Sequence, residues 1–206
     1  MTGIALKLKE HTRSAHNSAE HHSFQRSLGG GTLSLDLYRA YLTQLWLIHT
    51  SLEESLQNAG RASNKVKAVI TDEQMQCKWL VSDLKSLAVD TAAVSPVEST
   101  RDIVARIERT ASSCPVALLG YHYVLLGSKH GGKYIAAVIK QKHNLNGGGT
   151  LYFDPYGQEF QKHWQHFTTQ MNELELSESE TAQMVQAADD MFRAVESVGA
   201  ELEKTV

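Results

Sequence analysis

Lys9, Arg13, His16 and Glu20 recur at i, i+4, i+7 and i+11 along the run Leu8 to Glu20, so a helix through this run places all four on one face. An imidazole there can bind a metal through one ring nitrogen. A carboxylate one turn further on can hold the other ring N–H, which fixes the tautomer and raises the basicity of the ligating nitrogen. The two cations one and two turns earlier suit anionic groups on the same ligand, and each charge-assisted contact of this kind is worth about 1.5–3 kcal/mol. The same spacing also describes an ordinary solvated helix face, and this run alone does not separate the two.

A second run, Pro115 to Lys142, is apolar at helical spacing but interrupted by Gly127, Gly131 and Gly132. Each glycine costs a helix interior about 1 kcal/mol relative to alanine, so together they forgo about 3 kcal/mol that something must offset. One offset is close approach, because a backbone without Cβ can lie against a flat ligand and can kink to make room for it. Tight helix packing or a hinge is the other. Gly127 to Lys133 also has the spacing G-x-x-x-x-G-K of a phosphate loop. Tyr134 stands where that loop needs Ser or Thr, however, and no strand precedes it.

The elements that must position these residues are helices. Tyr38, Tyr41, Leu42, Leu45, Trp46, Leu52 and Leu56 recur at helical spacing, and sustained period-two alternation is absent. Pro96, Pro115 and Pro155 read as punctuation near helix starts. Turn material falls at Gly29 to Gly31, around Val94 to Pro96 and at Asn146 to Gly149, and Ser177 with Glu180 has the form of a capping box. These signals predict an all-α fold, a compact single-domain helical bundle over residues 1–206, with helices near 4–27, 34–58, 64–89, 98–112, 115–142, 156–173 and 178–203. Bundles place cofactor sites between facing helices.

Composition narrows the function classes. The 206 residues are 42% hydrophobic and 21% charged, which excludes a disordered chain. Twenty basic against 23 acidic residues, with no long basic run, argue against nucleic acid as a main partner. Met1 to Glu10 lacks the apolar stretch of a signal peptide, and Ala117 to Gly127 is too short for a membrane span. Two cysteines, Cys77 and Cys114, without paired spacing point to a reducing cytoplasm.

Taken together, the motif L-K-x-x-T-x-x-x-H from Leu8 to His16 and the motif G-S-x-x-G-G from Gly127 to Gly132 make the chain resemble the haem oxygenase family, chiefly its bacterial branch. Their order and separation, Pro115 and Tyr123 ahead of the glycines, and Phe192 on the last helix carry the resemblance. It implies haem between the first helix and the glycine-broken one, with His16 on the iron and Glu20 on the other ring nitrogen. Lys9 and Arg13, with Lys162 and His166, match basic positions that meet the propionates. Ala19, Phe24, Leu28, Tyr123 and Phe192 match pocket-lining positions, and Gly127, Ser128, Gly131 and Gly132 match the catalytic distal wall. Ser128 stands where mammalian relatives have an aspartate. The implied chemistry is oxidation of haem to biliverdin, releasing carbon monoxide and iron. It uses dioxygen and electrons from a ferredoxin, a flavodoxin or an NADPH-dependent reductase.

Competing features are weaker. His130 lies three residues after Gly127 and, if it faced the iron as a second ligand, would block oxygen. His163 and His166 have the i,i+3 spacing of a helical metal pair. No glutamate lies three residues before a histidine, so a carboxylate-bridged di-iron site fails. Neither cysteine has a base beside it for the nucleophilic chemistry of thiamin-degrading enzymes with this helical fold. A haem carrier without turnover and a helical interaction module remain the rival classes.

Overall fold

Hydroxyl caps open the two longest helices. The Ser34 hydroxyl accepts the Leu37 N–H at the start of α4 (Leu35–Ala62), and Ser177 and Glu180 form a reciprocal capping box at the start of α11 (Glu178–Glu203). A computed structural model describes residues 3–205, and no strand occurs among them. The remaining helices are α1 (Ile4–His11), α2 (Arg13–His21), α3 (Ser23–Gly29), α5 (Asn64–Lys67), α6 (Cys77–Ser86), α7 (Glu98–Ser113), α8 (Leu118–Gly127), α9 (Gly132–His143) and α10 (Phe160–Asn172).

The centre is α8, in which every residue from Leu118 to Leu126 is buried. A helix that is apolar all round belongs inside, with neighbours on every side. It lies against α11 at Gly120, where a Cβ would fall 2.1 Å from the Met184 carbonyl oxygen, so the two backbones touch. The long α4 buries Tyr38, Leu42, Ile48, Leu52 and Leu56 completely, each such side chain contributing roughly 1.5–3 kcal/mol.

Three predicted segments are broken in the structure. The stretch 4–27 is three short helices. At Thr12 the hydroxyl donates to the Leu8 carbonyl at 2.7 Å and ψ opens to 0°, a back-bonding that bends helices. At His22 the backbone is extended, and the ring caps α3 by accepting the Phe24 N–H at 3.3 Å. The stretch 64–89 is interrupted by the turn Asp72–Gln74, because the Glu53 carboxylate of α4 takes the Gln76 and Cys77 N–H groups at 2.6 and 3.0 Å and restarts the helix there. The stretch 115–142 breaks at the 3₁₀ turn Ser128–His130.

Both groups of chemically suggestive residues hang on α11. Gly199 receives the Phe24 ring of α3, where a Cβ would stand 2.8 Å from it. Ser18 and Ser23 donate to Glu196 and Glu203 at 3.2 and 2.6 Å. Beyond α3, Gly31, at φ +67°, lies against Val138 of α9, and His143 is 3.1 Å from the Leu33 carbonyl.

Candidate functional site

Residues Lys9 to Glu20 cross the bend at Thr12 without losing their common side. The bonds Thr12 N–H to Leu8 O and His16 N–H to Thr12 O, at 2.9 and 2.8 Å, carry the helical register through it. Lys9, Arg13, His16 and Glu20 are all exposed. Nδ1 of His16 lies 3.7 Å from Glu20 Oε2, which leaves Nε2 as the nitrogen for a metal, and the His16 side chain is 56% exposed. Its ring meets the Phe192 ring of α11 edge-on at 5.6 Å. No ion pair among the described residues engages Lys9 or Arg13. Ala19 is buried one turn beyond His16, and Phe24 and Leu28 lie in the core between α3 and its neighbours.

The glycines of the second motif have three different surroundings. A Cβ on Gly132 would fall 1.8 Å from the Phe153 carbonyl oxygen, so this glycine admits the backbone of the loop before α10. A Cβ on Gly127 would stand 3.2 Å from the Trp164 ring. At Gly131 nothing lies within 4 Å, and the residue is exposed. Between them the Ser128 hydroxyl donates to the Leu125 carbonyl at 2.7 Å, and His130 Nδ1 lies 2.8 Å from the Gly127 carbonyl. These bonds satisfy carbonyls at the end of α8 that the break would leave bare.

His130 is held away as well as bonded. Its ring sits edge-on to Phe160 and Trp164 at 4.7 and 4.9 Å. Trp164 also packs on Tyr123 at 5.2 Å, so Tyr123, Gly127 and α10 form one aromatic seam. Lys162 and His166 stand on the exposed side of α10, opposite that seam, and Lys162 lies 3.7 Å from Glu159. Of the pair His163 and His166, His163 packs on Tyr156 and lies 3.7 Å from Glu73, and no group of three or more metal-ligating side chains occurs among the described residues.

Behind the break lies a buried polar cluster that sequence reasoning missed. His49, 1% exposed, lies 3.0 Å by Nδ1 from Glu53 and 3.1 Å by Nε2 from the Tyr152 hydroxyl. Burial pushes the Glu53 carboxyl up, but His49 and the N–H groups of Gln76 and Cys77 outweigh it and hold the carboxyl below its ordinary range. Burial holds His49 below its ordinary range against the pull of Glu53. The pair is therefore a neutral imidazole donating Nδ1–H to a carboxylate, with Nε2 accepting from the phenol. Asp83 accepts three backbone N–H groups, from Gly149, Leu151 and Tyr152, at 3.0, 2.9 and 2.8 Å. Lys129 is buried with Nζ 3.0 Å from the Tyr152 ring centroid, and its ammonium is held well below the ordinary lysine range by burial. The His49–Glu53 spacing of four was the one sequence signal for this cluster.

The sequence and the fold are similar to those of known proteins. The chain is 24% identical over 197 residues to the heme oxygenase of Rhodella violacea, covering 93% of this chain and 83% of that protein. With heme oxygenase 1 of Synechocystis it shares 23% over 194 residues, 92% of this chain and 80% of the relative. Among solved structures, the heme complex of Synechocystis heme oxygenase-1 superposes with a TM-score of 0.91 at 21% identity, covering 99% of this chain and 94% of that one. The Leptospira interrogans heme oxygenase gives 0.88 at 24% identity, covering 97% and 100%. The family model described as heme oxygenase matches residues 2–201, and the chain belongs to the heme oxygenase family.

Proposed function

We propose that this chain binds haem between α2 and the Gly127–Gly132 break and opens it oxidatively to biliverdin, carbon monoxide and ferrous iron. The observation that carries the reading is the pairing of an exposed imidazole, backed by Glu20 and bare at Nε2, with a helix break whose Gly131 meets nothing within 4 Å. When bound, the haem substrate would supply the redox chemistry, and the residues of the chain would hold and orient it.

Each residue then has a physical task. His16 binds the iron as a neutral imidazole and withholds the strong electron push of a thiolate ligand. Glu20 orients that ring. Lys9 and Arg13, exposed on the same side, meet the propionates, and Phe192 flanks the imidazole. On the opposite wall, Gly131 lets the backbone approach the ring, and Ser128 offers the hydroxyl nearest to it in sequence. His130 is turned to the Gly127 carbonyl and flanked by Phe160 and Trp164, so it would not offer a second imidazole to the haem iron.

Electrons come from a ferredoxin, a flavodoxin or an NADPH-dependent reductase. No helix among the described residues is long and apolar enough to cross a membrane, and two free thiols suit a reducing compartment such as the cytoplasm. The test is direct. Haem added to the purified protein gives a Soret band of a histidine complex, and reductant with oxygen converts it to bile pigment. A stable complex that never bleaches makes the protein a carrier, and no spectral change makes it an interaction module.

A further inference from the structure

Tyr152 stands where four parts of the chain meet, and the reading above gives it no part. Its hydroxyl bonds His49 of α4, its ring carries Nζ of Lys129, and its N–H donates to Asp83 of α6. The carbonyl of Phe153, the next residue, occupies the space that a side chain on Gly132 would need. Ser128, exposed at the break, donates its hydroxyl to the Leu125 carbonyl and directly precedes Lys129, whose amine lies over the Tyr152 ring.

We propose that Tyr152 is a positioning residue, which locks the Ser128–Gly132 break onto the buried His49–Glu53 pair and so sets where the Ser128 hydroxyl and the Gly131 backbone stand against haem. The proposal rests on the haem reading and deepens it. A 3₁₀ turn flanked by glycines has little stability of its own and takes its shape from what it packs on. Lys129 is the buried side chain of that turn, and its Nζ has no hydrogen-bond partner among the described residues. An apolar side chain would fill such a place at lower cost, so the amine over the Tyr152 ring marks a position held for more than packing.

The support behind Tyr152 is stiff and directional. Two N–H groups at the start of α6 hold the Glu53 carboxylate, the carboxylate sets the His49 tautomer, and Nε2 of His49 then accepts one phenol hydrogen from one direction. The ionisable groups around Tyr152 are Tyr38, Tyr41, His49 and Glu53 from α4, Cys77 and Asp83 from α6, and Lys129 from the break.

The experiment uses Tyr152→Phe, which keeps the ring beneath Lys129 and removes only the hydroxyl. In the haem-free protein, amide hydrogen exchange at Lys129 to Gly132 should accelerate about 10-fold, the loss of one hydrogen bond, while α4 and α11 keep their protection. In the haem complex the histidine-type Soret band should persist. The pH midpoint of the ferric spectrum should move, bilin formation should slow about 10-fold, and Ser128→Ala on top of Tyr152→Phe should add nothing further. Unchanged exchange at the break, or fully additive effects of the two substitutions, overturns the proposal. Should Tyr152→Phe prove unstable, His49→Leu, which removes the acceptor of the phenol hydrogen, carries the same exchange test. A wild-type protein that takes up no haem overturns the functional reading, whereas the exchange measurement still decides whether Tyr152 holds the break.

Discussion

The two walls of the candidate site are built in opposite ways. The wall that carries His16 consists of helices of 8, 9 and 7 residues, each too short to persist alone, with the chemically suggestive side chains exposed. The wall that carries the glycines is anchored in the interior by α8, by the Gly132 contact with Phe153 and by the cluster around Tyr152. The first is a strap laid on α11, and the second is shaped before any ligand arrives. This division suits a protein whose ligand must be gripped and released on one side while its reaction is directed from the other.

The contrast can be broken most severely at His16. His16→Ala should remove the axial bond and lower turnover by on the order of 100-fold or more, with little change in thermal stability, since alanine is the better helix former. Haem titration followed by absorbance and melting checks both halves, and an unchanged spectrum would count decisively against the assignment. Glu20→Gln should weaken the complex less, by roughly 10-fold, and still leave histidine ligation.

Distal substitutions should act on stability in proportion to what each glycine touches. Gly132→Ala should destabilise the fold by about 1–3 kcal/mol or more, because the Phe153 backbone must move. Gly131→Ala should leave denaturant unfolding near wild type, and a bulkier residue there should alter oxygen binding or product isomer. Equal stability losses at Gly131 and Gly132 would erase the distinction between them.

Acidification should loosen the buried side first. His122, bonded to Gln74, is held down at about 4 by burial, against about 6.5 in the unfolded chain, and His49 is shifted in the same direction. The unfolded state therefore binds more protons between these values. The stabilising contribution is complete above about pH 6.5 and is lost as pH falls toward 4, by about 3 kcal/mol for His122. Melting temperature measured across this range should fall with pH, and more shallowly in His122→Gln. Gly127→Ala should fall between Gly131→Ala and Gly132→Ala in stability, since the Trp164 ring needs to yield by only a few tenths of an ångström.

Much of this was legible in the residue order. Helical periodicity marked α4, α7 and α11, and the Ser177–Glu180 box marked the start of α11. The breaks at Thr12, His22 and Asp72–Gln74 were not legible, because each depends on a side chain bonding a backbone group that periodicity ignores. Glu53 and Lys129 escaped for a related reason. Charged residues at helical spacing normally face water, and only the fold shows that partners on α4, at the start of α6 and in the Gly149–Phe153 loop enclose these two. Conversely, the three glycines share one motif but have three different surroundings, which spacing alone cannot reveal.

One further consequence follows from the way α11 receives α8 at Gly120 and the Phe24 ring at Gly199. Both seats lack a side chain on one partner, so neither has a compressible cushion. The strap and the interior wall are thus registered on one rigid spine. A methyl group added at either seat would shift one against the other from a distance, and haem affinity should then change although the substitution lies at the spine.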